Sequence, residues 1–110
     1  MPHIEKGLLW ETQQDFEKTV RGQFPADAMD ALRNGIEEIE FALVQCEVPL
    51  HPFSKLNNTV NRLWDALSVP GGLGVYDKNE RTRLQNALSD LSGMVAMRIT
   101  DHLHCCAKSW

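Results

Sequence analysis

A chain of 110 residues, 43% hydrophobic and 24% charged, can bury one core and has no room for two, so a single domain over residues 1–110 is expected. Its formal charge of -4, with no basic cluster, excludes a dedicated phosphate-backbone binder, and no direct nucleic-acid contact is expected. No apolar run nears the roughly 20 residues that cross a bilayer, and the opening Met-Pro-His-Ile-Glu-Lys shows no basic-then-apolar leader pattern; a cytoplasmic protein without membrane contact is the expectation.

Helix one is predicted over about residues 4–22, with Leu9, Phe16 and Val20 at helical spacing and Thr12 and Thr19 beside them. Trp10 projects about a third of a turn away from that stripe, as a boundary residue or an exposed contact. Gly22 followed by Phe-Pro ends the segment, because Pro25 disfavours a helical residue before it.

Helix two, over about residues 27–47, carries the cleanest pattern. Met29, Leu32, Ile36, Ile39, Leu43 and Cys46 alternate three and four residues apart, a seam that packs against other helices at a shallow angle. Asp30, Asn34, Glu37, Glu38, Phe41 and Gln45 occupy the opposite face, where Phe41 is out of place. Pro49 and Pro52 then break the chain.

Ser54 is the expected N-cap of helix three, whose stripe is Leu56, Val60, Leu63 and Leu67 with Trp64 at its margin. Pro70-Gly71-Gly72-Leu73-Gly74 reads as a plain connector; its glycines lack dinucleotide spacing and follow a helix where that motif follows a strand. Asp77 and Glu80 form a capping pair for helix four, over about residues 78–106, with Leu84, Leu88, Leu91, Val95 and Ile99 as its stripe. Gly93 within it suggests close packing against another helix.

Four helices with short connections predict an all-α fold: an antiparallel up-down-up-down four-helix bundle with a long C-terminal helix. The estimated lengths are about 27, 31, 20 and 43 Å, so helix four should overhang and could pair with a second copy through its surplus apolar surface.

In that topology helices two and four end together, which gathers His3, Cys46, His51, His102, His104, Cys105 and Cys106 near one end of the bundle. Three cysteines cannot all pair within the chain, and adjacent cysteines seldom bridge, so free thiols in a reducing compartment are expected. His102, Cys105 and Cys106 on helix four have ligand types that suit zinc, and Cys46 or His51 could complete the set, as in a site of Cys46, His102 and Cys106; the other reading makes the cysteines small core residues, with no cofactor.

The segment Arg98-Ile-Thr-Asp-His-Leu-His104 resembles the Arg-x(4–6)-His element of the HEPN ribonucleases, small all-α domains that often act as dimers. The resemblance covers seven residues. It implies RNA cleavage with His104 as acid or base and Arg98 stabilising phosphate charge. No other nucleophile with a base emerges.

Phe41 behind Glu37 and Glu38 is an aromatic anchor with acidic neighbours, the composition of a binding hot spot that would steer a basic partner. The leading expectation is a non-catalytic interaction module, such as an inhibitor, immunity or antitoxin-like protein. Phe41, Glu37, Glu38 and Trp10 would contact a basic surface on another protein.

Overall fold

The computed structural model describes residues 7–20, 23–69 and 77–108, which form four helices: α1 (Trp10–Val20), α2 (Ala26–Val44), α3 (Leu50–Ser68) and α4 (Lys78–Lys108). No strand occurs among the described residues. The Pro70–Gly74 connector, His3 and Gly22 lie outside them.

Every apolar stripe faces inward. Leu9, Phe16 and Val20 meet Leu32, Ile36, Ile39 and Leu43 of α2, Leu56, Val60, Leu63 and Leu67 of α3, and Leu84, Leu88, Leu91 and Val95 of α4 in one buried core. Phe24, just before α2, is buried as well and stacks on Phe16 with ring centroids 6.1 Å apart. Burying a Leu or Ile side chain contributes roughly 1.5–3 kcal/mol, so this shared core is the main force joining helices that would be marginal alone.

The helix edges carry polar ties. Leu9 N–H donates to Glu40 Oε2 at 2.8 Å, and Arg33 Nε binds Glu17 Oε2 at 3.0 Å, both joining α1 to α2. Lys55 Nζ meets Glu38 Oε2 at 3.3 Å between α3 and α2. Gln85 Nε2 donates to Ser68 Oγ at 2.9 Å between α4 and α3, and Ser92 pairs with Asn57. Arg83 of α4 reaches the Thr19 carbonyl of α1 and Gln23 beyond it. The molecule measures 50 × 31 × 20 Å, with α4 at about 46 Å its longest element. No described helix is long and apolar enough to cross a membrane.

Several boundaries differ from expectation for local reasons. Residues 7–9 form a turn, with Trp10 N–H donating to the Gly7 carbonyl, so α1 begins later than the predicted residue 4. Glu40 from α2 supplies an acceptor there, placing a carboxylate at the positive end of α1. A side chain at Gly7 would collide with that carboxylate. Helix three starts at Leu50, and Ser54 is an exposed interior residue instead of its cap. Pro52 falls in the first turn, where its missing N–H would have had no helical partner anyway.

The capping residue of α4 is as predicted: Glu80 N–H donates to Asp77 Oδ1 at 2.7 Å. Gly93 is not a packing glycine, because a Cβ there would meet nothing within 4 Å. Gly35 has that role instead, since a Cβ at that position would stand 3.2 Å from Leu56 Cδ1 across the α2–α3 contact.

Candidate functional site at the C-terminal ends of α2 and α4

The α2 helix ends earlier than its seam predicts, and the way it ends creates the site. Gln45 is the C-cap; Cys46 N–H donates to the Leu43 carbonyl at 2.9 Å and Glu47 N–H to the Ala42 carbonyl at 3.0 Å. These two bonds make a Schellman motif, whose left-handed residue is commonly glycine. Here the residue is Cys46, at φ 56°, the one non-glycine with positive φ among the described residues. That conformation costs a residue with a Cβ about 1 kcal/mol or more.

The turn brings Cys46 to Cys106 on α4. Their Cα atoms are 5.9 Å apart, and they form a disulfide spanning 60 positions. That separation lies within the range a disulfide can bridge. The expectation of three free thiols is therefore corrected: Cys46 and Cys106 are joined, and the exposed Cys105 lies outside the bridge. Spacing along the chain could not show this pairing, because it depends on α2 and α4 ending side by side.

His102, one turn before Cys106, completes a cluster. Its Nε2 lies 2.7 Å from the Leu43 carbonyl, the same oxygen that accepts from Cys46 N–H. A carbonyl can only accept, so Nε2 is the donor in this contact. One His102 ring nitrogen and both sulfurs lie within 4.8 Å of one another. His51 and His104 are exposed and stand outside this group.

Apolar side chains are exposed at the end of α2 and just beyond it. Phe41 is 70% exposed, Val44 66%, Val48 63% and Leu50 74%. Phe41 and Val44 are three residues apart on α2 and so adjoin on its surface, with Glu37 and Glu38 one turn before Phe41. Both carboxylates are exposed, and Glu38 shares its charge with Lys55. Trp10, 38% exposed, sits at the start of α1, on a different element from the other three predicted contact residues. Sequence reading missed Val44, Val48 and Leu50; the signal was apolar residues recurring beside the prolines where α2 stops.

Arg98 and His104 are both exposed on α4, which is unbroken from Lys78 to Lys108. Six residues of regular helix set them about 120° apart around the axis. Between them, α1 and α4 border a groove of about 970 Å³ whose lining includes Thr12, Asp90, Met94 and Met97.

Comparisons with protein-family models, with curated proteins and with solved structures find no match to the chain.

Proposed function

We propose that the protein is a small acidic, non-catalytic interaction module that covers a basic surface on another protein, as an inhibitor, immunity or antitoxin-like protein does. The observation that carries the reading is Phe41: a large aromatic 70% exposed, with Val44 beside it at 66%. Large exposed apolar groups standing together signal a contact surface more than isolated ones do. Glu37 and Glu38 one turn away, and the formal charge of -4, favour a partner whose surface is basic.

A homodimer through α4 is a companion expectation, supported by Met94 at 37% and Met97 at 55% exposure in its groove with α1. A cytoplasmic setting also belongs to the proposal; free thiols are not a reason for it, since Cys46 and Cys106 are bridged.

The test is affinity capture from source cells with the wild-type chain, Phe41→Ala and the double charge reversal Glu37→Lys/Glu38→Lys. Recovery of a partner with a basic surface, at least about tenfold weaker with Phe41→Ala, is expected, as for loss of a hot-spot aromatic. The charge reversal should slow association most at low salt. Helicity and melting temperature should stay unchanged in Phe41→Ala. Equal capture by all three proteins would exclude this surface as the binding face.

A further inference from the structure

The cluster of Cys46, His102 and Cys106 goes beyond the interaction reading. Its two sulfurs and one imidazole nitrogen lie within 4.8 Å of one another, while Cys46 and His102 are half-buried and Cys106 is buried. Around a zinc-type ion, with bonds of about 2.3 Å to sulfur and 2.0 Å to nitrogen, ligand atoms stand roughly 3.5–3.8 Å apart. Modest side-chain rotation converts the observed cluster into that arrangement once the sulfurs are separate.

We propose that reduction of the Cys46–Cys106 bridge opens a site for a thiophilic divalent cation, zinc being the type, held by both thiolates and His102.

The surroundings suit a cation. Histidine ligands usually donate their second ring N–H to a carbonyl or carboxylate, which fixes the tautomer; the Leu43 carbonyl already has that role at 2.7 Å from Nε2. The same carbonyl accepts from Cys46 N–H at 2.9 Å, so the turn that presents one ligand also orients another. The C-terminal carbonyls of α2 carry the negative end of its dipole, which favours positive charge nearby. A cysteine stands where the Schellman turn commonly has glycine, and its side chain reaches Cys106 from there.

The chemistry balances in both directions. A dithiol reductant gives two electrons and two protons to the sulfur–sulfur bond and leaves as a disulfide, producing two thiols. Binding the ion releases those two protons and forms two metal–thiolate bonds, with His102 contributing a neutral nitrogen lone pair. A small-molecule disulfide as oxidant takes two electrons back, re-forms the bridge and expels the ion. The bridged sulfurs carry no thiolate charge, so bridge and metal exclude each other. Three protein ligands leave the fourth tetrahedral position to water or an incoming group.

The test uses the full chain, reduced with a phosphine, freed of reductant without air and titrated with cobalt(II) as a spectroscopic probe. One cobalt per chain with thiolate charge-transfer absorption and tetrahedral ligand-field bands is expected. The bridged protein should show neither, and oxidised glutathione should release the ion from the loaded form. Cys46→Ser should lose the charge-transfer band, whereas Cys105→Ser should keep it. His102→Gln, which retains an N–H donor for the Leu43 carbonyl, should weaken binding by more than the roughly 10–100-fold that loss of an outer partner costs. This variant keeps the bridge, so circular dichroism before reduction verifies its fold independently of metal. No thiolate band in the reduced wild type overturns the proposal. So does a band that depends on Cys105, or equal affinity in His102→Gln.

Discussion

Opening the Cys46–Cys106 bridge, with a chelator present so that no metal replaces it, should remove a large share of the domain's stability. The bridged residues are 60 positions apart. Closing a loop of that size withdraws about 14 cal/mol/K of chain entropy from the unfolded state, or about 4 kcal/mol at 25 °C. Whole domains are stable by only about 5–15 kcal/mol, so this one crosslink matters. The left-handed backbone of Cys46, at φ 56°, belongs to the turn that ends α2; with that turn kept on reduction, its cost cancels from the comparison. It reappears when the residue itself is changed. In a Cys106→Ala background, Cys46→Gly should be about 1 kcal/mol more stable than Cys46→Ala, because only glycine adopts this conformation without penalty. The assay is urea unfolding followed by far-ultraviolet circular dichroism. With a slope of about 2 kcal/mol per molar urea, reduction should lower the midpoint by about 2 M. A loss below about 1 kcal/mol would refute the loop-closure account, and a Gly variant no more stable than the Ala variant would refute the strained turn.

Gly93→Ala should raise stability by about 0.5–1 kcal/mol, measured as a higher melting temperature, because a Cβ there meets nothing within 4 Å and glycine weakens a helix interior. Arg33 holds the Glu17 carboxyl below its ordinary pKa, chiefly by hydrogen bonding, with Gln13 adding a second bond and burial opposing both. Since the folded value lies below the unfolded one, this stabilisation is present above the ordinary carboxylate range and is lost as pH falls through the folded value. Arg33→Met should therefore destabilise at neutral pH, and its deficit should close on acidification; a deficit independent of pH would show that packing, not charge, was lost. The pair is partly exposed, so added salt should shrink the difference.

Local pattern made most of the fold legible. The stripe of α2 from Met29 to Leu43 is buried throughout, and those of α1, α3 and α4 likewise face the core, because a helix with one apolar side can hide it only against another. Asp77 was readable as a cap because its acceptor and the Glu80 amide belong to the same turn. Local chemistry erred where a partner from elsewhere decided the outcome. Glu40 sits in an acidic run that reads as solvated surface, yet it accepts from Leu9 N–H at the head of α1. Gly35 and Gly93 look alike in sequence, and only their neighbours show that one adjoins Leu56 and the other faces open space.

The candidate site divides in the same way. Phe41 was identifiable because it interrupts a polar face, a property of α2 alone, and it is 70% exposed. The exposure of Val48 and Leu50 follows from the chain leaving α2 after Val44, which the seam running on to Cys46 did not predict. By itself, then, the sequence determined four amphipathic helices, their inward faces and one aromatic on an outer face, since these follow from residues within a few turns of each other. Only the tertiary structure decided that Cys46 meets Cys106 and that His102 shares the Leu43 carbonyl with the α2 turn. Those contacts join residues about 60 positions apart, and their geometry exists only once α2 and α4 end side by side.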